Sequence, residues 1–459
     1  MLQPKHPPIS GQSYLEHVIH FIRDTRWSQL PQPVKHQARR CLLDAMGALL
    51  AGAVTPAGHL VSDISRTQFP GDQATILLHG HRVSASGAAL ANGFSGNALD
   101  VDDGYRMVKG HPGACVLPVI LAAAETIPEC SGTDFLNALV IGYEIGIRSG
   151  RIRHATSADY HSSGSWGAIA GAAAGGKLMN LDDQSLLHAL GTAEYHAPIA
   201  PMMKGIQTPS MCKDSIGWGT LVAMLSILMA RNGFVGITPF FTDTPEADWI
   251  LGLGHDWQIC QLYFKPYTAC RWAQPAVDGA FHIQKKFNLA VEAIRFVRIK
   301  SFKAACALRC QPPTNTEEAQ YNMAFPVAAA LVDGEVGPAQ VLPPRIFDPT
   351  ILQLLAKIST EIDADIEAVF PAKTFAEVII ETMDGRILSS GWVAPRWEPP
   401  DTLPTDHELE AKFLWLTAPV LGEIASKKLM DFIWHFDAAN RVSDLIALCC
   451  PKKNQTRLQ

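Results

Sequence analysis

The sequence LDVDDGYRMVKGHPG, residues 99–113, lies between two apolar stretches and concentrates chemical groups in one short segment. It contains three carboxylates, two basic side chains and His111. Asp, Gly and Pro at these spacings interrupt helices, so we predict an irregular loop held between two helices. His111 directly precedes a Pro-Gly pair and an apolar run, which predicts an imidazole at a helix N-terminus. There its pKa is expected to fall and anions are favoured. By itself, the loop fits either an acid/base site or an acidic surface loop whose histidine caps a helix.

Helical patterns extend outward from this loop through most of the chain. From residue 28 to about residue 264, apolar residues recur at helical spacing. The clearest such stretches are 34–53, 116–124, 135–147, 167–178 and 214–230.

The character of the sequence changes after about residue 265. Residues 294–302 alternate and are rich in β-branched side chains, and 375–393 is predicted to form a hairpin that turns at Asp384-Gly385. A helix is predicted at 349–360, and helical patterns return at 407–416 and 427–449.

These patterns predict a mainly α fold in two parts. The first is a large all-helical domain formed by residues 1–266 and 401–459. The second is a smaller α+β unit, residues 267–400, called the lid domain below. Small ligands commonly bind in the cleft that such an arrangement creates.

Charge and cysteine content argue against several classes of function. The formal net charge is −6, so the basic face of a nucleic-acid-binding protein is not expected. Uncharged stretches stay below the roughly 18–20 residues that span a bilayer, and no apolar leader is visible, so we expect no membrane association and a cytoplasmic location. The ten cysteines lack zinc or iron–sulfur spacing, which predicts reduced thiols and no zinc or iron–sulfur cofactor.

Three further clusters place histidine or basic groups at helix starts or at the domain junction. His161 precedes Ser-Ser-Gly and an Ala/Gly-rich helix, although serine is also simply a good N-cap. Lys204 and Lys213 lie in a loop before a long buried helix. A lysine is disfavoured at such a helix start unless an anion is also there, and the alternative is an exposed loop lysine. Lys265 and Arg271 lie among aromatic residues and fit a carboxylate clamp, or an arginine stacked on a ring.

Together these blocks resemble the MmgE/PrpD family. The run AALANG at 88–93, the loop at 99–113, KPY at 265–267, CRW at 270–272 and EAQ at 318–320 follow the family's order. The resemblance extends over roughly residues 15–440. It implies a large all-helical domain with an α+β lid, a homodimer, and catalysis without a metal.

The resemblance also assigns roles to individual residues. The positions it implies to be catalytic are Asp100, His111, His161 and Lys265. Those it implies to bind substrate are Asp103, Arg271, Lys204 and Lys213, and one of the two lysines should supply the family's second basic group. The chain departs from the family pattern at Gly104, where Thr or Ser is common. It departs again at residues 207–209, Gln-Thr-Pro, where many members have His-x-Gly.

The function implied is that of a metal-independent lyase for a small di- or tricarboxylate. Dehydration of a 2-methylcitrate-like acid ranks first. The alternatives are a cis-aconitate-type decarboxylase, an iminodisuccinate-type epimerase and, from another class, a non-catalytic polycarboxylate-binding protein. All three reactions develop negative charge beside an existing carboxylate, which cations and donors in a dry site stabilise. We expect Lys265 and a second lysine to bind carboxylates, His111 to act as acid or base, and Asp100 and His161 to orient groups or relay protons.

Overall fold

A computed structural model describes residues 11–242, 248–400 and 402–450, and helices dominate it. The first domain contains α1 (Gly11–Asp24), α2 (Gln32–Gly52), α3 (Pro56–Gln68), β1 (Ala74–Ile76), β2 (His81–Val83), α4 (Ala85–Asn97), α5 (Pro112–Glu125), α6 (Gly132–Thr156), α7 (Ser163–Leu178), α8 (Asp183–His196), α9 (Met202–Gln207), α10 (Ile216–Arg231) and α11 (Asp248–Leu251). The antiparallel pair β1–β2 corrects the expectation of an all-helical domain.

The second part of the chain mixes helices with a four-stranded sheet. Its elements are α12 (Gln274–Phe287), β3 (Ile294–Ser301), α13 (Lys303–Cys306), α14 (Thr316–Gln320), α15 (Ala324–Asp333), α16 (Pro338–Val341), α17 (Pro349–Leu355), β4 (Ile358–Ile362), α18 (Ala364–Val369), β5 (Ala376–Thr382) and β6 (Ile387–Val393). Three helices follow: α19 (Asp406–Leu421), α20 (Glu423–Trp434) and α21 (Val442–Cys449).

The sheet of the lid domain has the strand order β4–β3–β5–β6. The predicted strand at 294–302 and the hairpin at 375–393 are both present, and Gly385 takes φ +85° at the turn, which glycine adopts without strain. The predicted helix at 349–360 is wrong in its second half. The chain leaves α17 after Leu355 and forms β4, because the β-branched segment that starts at Ile358 pairs in parallel with β3.

Glycine and alanine bring three helices of the first domain into close contact. A Cβ atom added at Gly171 of α7 would lie 2.8 Å from Val119 of α5 and 2.8 Å from Ala223 of α10. One added at Gly167 would lie 2.2 Å from the Cys115 sulfur. Only glycine allows such an approach. The small residues therefore set the spacing of α5, α7 and α10. The N-terminal ends of these three helices surround the site described below.

The last helices pack back onto the first domain. Phe413 and Leu416 of α19 lie against Gly47 of α2, and residues of α20 and α21 share a buried apolar cluster with α2, α5 and α6. The predicted helical region 427–449 is divided, since α20 ends at Trp434 and α21 begins at Val442.

Two other observations bear on the sequence predictions. No single helix in the described ranges is long and apolar enough to cross a membrane; α2 and α3 pass that test only as a pair bent by 84°. All ten cysteines are free.

A buried ion pair ties α19 to α2 and to the loop that follows α4. Lys412 donates to the Asp44 carboxylate and to the Val101 carbonyl, and both charged side chains are buried. Lys412→Met should lower the free energy of unfolding by about 3–5 kcal/mol, because it leaves a buried carboxylate without its cation. Urea or thermal unfolding measures this effect. Lys427→Met, at an exposed position of α20, is the control; equal midpoints for the two variants would contradict the prediction.

Candidate active site

A cavity lies between the two domains at the N-terminal ends of α5, α7 and α10. Residues from the first domain, the domain junction and the lid domain all line it. The lining residues are Asp100, Arg106, Lys109, His111, Tyr160, Met202, Ile206, Asp214, Tyr263, Lys265, Cys270, Arg271, Trp272, Tyr321, Phe370, Pro371, Thr374 and Glu398. Helix N-termini carry partial positive charge, so this end of the bundle favours anions.

His111 is the N-cap residue of α5 and is 5% exposed. The predicted loop between α4 and α5 is present, with one 3-10 turn inside it. The Nδ1 atom of His111 lies 2.9 Å from the Asp103 carbonyl oxygen and 3.2 Å from Asp102 Oδ2. The Nε2 atom lies 3.1 Å from Asp214 Oδ2 and 3.5 Å from Asp100 Oδ1. Both ring nitrogens therefore face oxygen acceptors.

This environment overturns the expectation that a helix N-terminus lowers the pKa of His111. Burial does act to lower it, but the charge of Asp102 and hydrogen bonds to Asp102 and Asp214 outweigh burial and raise the His111 pKa to about 10. The same pairing outweighs burial at Asp102 and lowers its pKa to about 2. His111 is therefore an imidazolium at neutral pH.

Asp103 lies behind His111 rather than in the cavity. Its carboxylate accepts from the Tyr143 hydroxyl at 2.6 Å and from the Gly113 backbone N–H at 3.1 Å. Burial, with the charges of Asp44 and Asp102, raises the Asp103 pKa to about 7. This residue thus fixes the start of α5 and presents its carbonyl to the imidazole, while its predicted contact with substrate stays a prediction.

Lys265 joins the domain junction to the loop after α4. Its Nζ atom lies 2.8 Å from Asp100 Oδ1 and 2.9 Å from the Asp100 carbonyl oxygen, and it is 1% exposed. Asp100 adopts φ +51°, a left-handed conformation, and thereby turns both oxygens toward the lysine. The two predicted residues are brought together beside His111.

The two candidate loop lysines are placed very differently. Lys213 donates to the Gln320 side chain of α14 at 2.5 Å and lies 5.1 Å from the centre of the Tyr321 ring, which lines the cavity. Burial lowers its pKa. Neither lysine is itself a lining residue, but Lys213 contacts the lining residue Tyr321, whereas Lys204 is exposed on α9. The geometry therefore favours Lys213 as the second basic group.

Arg271 takes part in a three-residue charge cluster at the cavity wall. Its Nη2 atom lies 2.9 Å from Glu398 Oε2, while Arg106 binds the other oxygen of Glu398 at 2.9 Å. The Arg271 guanidinium also stacks over the Tyr263 ring at 4.4 Å, as one of the two sequence interpretations expected. Its predicted contact with a substrate carboxylate stays a prediction.

His161 precedes α7 but does not line the cavity. Its Nδ1 atom contacts the Asp159 carbonyl oxygen at 3.0 Å, and its carbonyl oxygen contacts the His154 ring at 3.1 Å. The neighbouring Tyr160 lines the cavity instead and donates its hydroxyl to the Lys109 carbonyl. The catalytic role predicted for His161 stays a prediction.

Both departures from the family pattern can be placed. Gly104 pairs with Tyr263 through two backbone hydrogen bonds of 3.0 and 2.9 Å. A Cβ atom at Gly104 would lie 2.3 Å from the Tyr263 ring, so a threonine or serine cannot stand there while the tyrosine keeps its position. Residues 207–209 lie outside the cavity lining, with Gln207 and Thr208 exposed.

Backbone strain is concentrated around this cavity. Of the eight described non-glycine residues with positive φ, five line the cavity or are next in sequence to a lining residue: Asp100, Lys109, Lys213, Ser215 and Trp397. Left-handed conformations cost roughly 1–2 kcal/mol for such residues and persist at functional sites where surrounding contacts hold them. Here the strain orients charged side chains into one small space.

Asp100, His111 and Asp214 also place one donor atom each within 4.8 Å of one another. Two carboxylates and an imidazole form a set that divalent metals use. In this site, however, Lys265 already binds Asp100, and the imidazolium of His111 already binds Asp214. A metal ion would have to displace two cations, so the carboxylates are neutralised by side chains.

Sequence reasoning missed several residues that the fold adds to the site. Asp102, Asp214 and Tyr160 each adjoin a predicted residue in sequence and Lys109 lies two positions from one, and that proximity was an available signal. Glu398 lies in a proline-rich stretch that carried none.

Comparison with known proteins gives matches over nearly the whole chain. The sequence model of the MmgE/PrpD N-terminal domain matches residues 16–251, and that of the MmgE/PrpD C-terminal domain matches residues 267–437. A cis-aconitate decarboxylase of Aspergillus terreus is 24% identical, over 95% of this chain and 96% of that protein. The human cis-aconitate decarboxylase is 24% identical, over 95% of this chain and 94% of that protein. A cis-aconitate decarboxylase-like protein of Aspergillus oryzae is 23% identical, with 94% and 96% covered.

The raised pKa of His111 leads to a direct test. Asp102→Asn removes the charge that opposes burial, so the His111 pKa should fall markedly from about 10. The imidazolium would then be lost at a lower pH. NMR titration of the protein labelled with ¹³C-histidine measures the change. Asp103→Asn is the matched control, because that carboxylate binds Tyr143 and Gly113 rather than the ring; an equal shift in both variants would refute the assignment.

Proposed function

The chain belongs to the MmgE/PrpD family, and on that premise we propose that it is a lyase that removes CO₂ from a small unsaturated tricarboxylate of the cis-aconitate type. The names of its relatives favour this reaction over the dehydration that the sequence resemblance ranked first. The observation that carries the proposal is His111, held in a buried cavity with its two ring nitrogens 3.2 Å from Asp102 and 3.1 Å from Asp214, beside Lys265.

Decarboxylation of such an acid requires one proton and a sink for electrons. When the carbon–carbon bond to an allylic carboxylate breaks, its electron pair moves along the alkene and CO₂ leaves. The far alkene carbon then gains a proton. The transition state is anionic and lies next to a remaining carboxylate. A group that delivers a proton and cations that hold the charge are therefore the two requirements.

The cavity offers both. His111 carries the proton, and its position between Asp102 and Asp214 keeps it charged at neutral pH. Lys265 and Lys213 supply positive charge on the side of Asp100 and Tyr321. We assign proton delivery to His111 and carboxylate binding to the two lysines.

The charge pairing also favours decarboxylation over dehydration. A dehydratase needs a base that removes a proton from carbon as well as an acid that assists the leaving hydroxyl. The carboxylates that line the described cavity are each already bound to a cation: Asp100 to Lys265, Asp214 to His111 and Glu398 to two arginines. Burial holds the pKa of Tyr160, Tyr263 and Tyr321 well above the ordinary value, so these phenols are donors.

The homodimer and the cytoplasmic location expected from the sequence stay predictions. Exposed apolar side chains occur on α3 (Leu60 and Ile64) and on α10 (Trp218 and Leu225), and substitutions at these positions would test for contact with a second copy.

A substrate panel tests the proposed reaction. Purified protein is incubated with cis-aconitate, citrate, 2-methylcitrate and iminodisuccinate in D₂O, and products are followed by NMR. We expect CO₂ loss from cis-aconitate with one deuterium at the former alkene carbon. His111→Ala should lower this rate about 10²–10⁴-fold, measured at a temperature where circular dichroism shows the variant to be folded. His161→Ala, whose ring lies outside the cavity lining, should affect the rate far less.

Other outcomes of the panel assign other functions. Loss of water from 2-methylcitrate would establish the dehydratase, and proton exchange at iminodisuccinate the epimerase. Binding of all four acids without turnover would favour a non-catalytic polycarboxylate-binding protein. Each of these results contradicts the decarboxylase proposal.

Metal removal gives a second test of the mechanism. Since Lys265 and His111 already neutralise Asp100 and Asp214, activity should be unchanged after dialysis against EDTA. The rate is measured before and after chelation and again after Mg²⁺, Zn²⁺ or Fe²⁺ is added. Loss on chelation with recovery on one ion would instead make Asp100, His111 and Asp214 metal ligands.

A further inference from the structure

We propose that Lys109 binds a substrate carboxylate that does not react, and so makes the cavity selective for tricarboxylates over dicarboxylates. This inference rests on the proposed function, because it concerns substrate choice at the same site. Lys109 was not among the residues that the family resemblance assigned, although it lies two positions before His111.

Lys109 is the lining cation whose charge is not already matched. His111, Lys265, Arg106 and Arg271 each contact a carboxylate. Among the described residues, no carboxylate contacts the Lys109 ammonium; it lies over two rings, 4.7 Å from the centre of Tyr160 and 6.0 Å from that of Phe370. An anion that enters the cavity therefore finds a free positive charge at this point.

The surroundings of Lys109 favour a charged ligand. The side chain is half-buried, and burial lowers its pKa without an acidic neighbour to oppose the effect. A partly desolvated ammonium gains more from an ion pair than an exposed one, because water screens the pair less. The aromatic rings hold the lysine in place but leave its hydrogen-bond donors available.

The backbone supports the same interpretation. Lys109 adopts φ +47°, a conformation in which glycine and asparagine are far less strained than lysine. At two exposed left-handed positions, Asn180 and Asn288, this chain uses asparagine. At position 109 two hydrogen bonds hold the conformation: the Lys109 backbone N–H donates to the Arg106 carbonyl, and the Tyr160 hydroxyl donates to the Lys109 carbonyl. A lysine in this strained conformation therefore indicates a functional role for its side chain.

The location of Lys109 suits a substrate with three acidic arms. Tyr160 belongs to the first domain, whereas Phe370 and Thr374 belong to the lid domain, so Lys109 lies where the domains meet around the cavity. Lys265 is fixed on the Asp100 side of His111. A small tricarboxylate beside the imidazole can place one arm toward Lys265 and another toward Lys109, which a dicarboxylate that lacks the second arm cannot do.

Binding of unreactive analogues tests this proposal without any turnover. The ligands are propane-1,2,3-tricarboxylate, glutarate, which lacks its central carboxylate, and methylsuccinate, which lacks a terminal one. Isothermal titration calorimetry compares wild type with Lys109→Asn and Lys109→Arg. Lys373→Asn, an exposed residue near the cavity that does not line it, is the control with the same change of charge.

We expect Lys109→Asn to weaken binding of the tricarboxylate about 10- to 100-fold, the range for one hydrogen bond to a charged group. It should leave at least one of the dicarboxylates nearly unchanged. Lys109→Arg should recover part of the affinity, and Lys373→Asn should bind like the wild type. The thermal midpoint of Lys109→Asn should equal or exceed that of the wild type, because asparagine tolerates the left-handed backbone.

Two results would overturn the proposal. One is an unchanged affinity of Lys109→Asn for the tricarboxylate. The other is an equal loss of affinity for all three ligands, which would mean that Lys109 contributes only to the overall electrostatic potential of the cavity or to the fold. With an active substrate, the variant should raise KM and change kcat little; a fall in kcat alone would also contradict a binding role. If no acid in the panel is converted, the proposed decarboxylase activity is contradicted, but the calorimetry still decides whether Lys109 binds a carboxylate.

Discussion

The site depends on mutual neutralisation of buried charges around His111. Three carboxylates lie within ion-pairing distance of the His111 imidazole, in a place where water screens little. Any one of these groups would be costly to bury alone, since an unpaired charge in the interior is strongly destabilising. The charge of the protonated ring compensates those of Asp102 and Asp214, and Lys265 compensates that of Asp100. The chemistry that we propose uses the same proton that makes the burial tolerable.

Close helix packing creates the space in which this balance operates. The glycines of α7 let α5 and α10 approach its backbone, and the three helices begin at one end of the bundle. Their N-terminal dipoles favour the carboxylates that hold His111 charged and would favour an anionic substrate as well. Asp100, Lys109 and Lys213 of the connecting loops adopt left-handed conformations; the first two line the cavity, and Lys213 lies over the ring of the lining residue Tyr321. Rigid helices thus allow strained loops to persist.

The lid domain completes the site by contact rather than by supplying a separate set of catalytic groups. Gln320 of α14 binds Lys213 and the Ala98 carbonyl, and Tyr321 lines the cavity. Glu398 bridges Arg106 of the first domain and Arg271 of the junction. In each of these contacts, a residue of the lid domain holds a positively charged side chain of the site, so the position of that cation depends on how the two domains are placed. A change of one domain against the other would therefore alter substrate binding directly.

A good part of this arrangement followed from the sequence. Helical spacing located α2, α5, α6, α7 and α10, and alternation located β3 and the β5–β6 hairpin, because these periods depend on local geometry. The segment β4 was mistaken for helix, since five residues that pair in parallel with a distant strand have no local signature. Resemblance brought out Asp100, His111 and Lys265, and the fold places all three at one cavity.

The sequence by itself determined where the long helices lie and which loop carries the carboxylates and the histidine. Tertiary structure decided which of these groups meet and in which charge state. The pKa of His111 rises rather than falls because Asp102 and Asp214, one from its own loop and one from the start of α10, lie within about 3 Å of its nitrogens. Lys213 reaches the lid domain while Lys204 faces solvent, although both lie in one short stretch. Electrostatic interactions depend on distance and burial, and neither is fixed until the chain has folded.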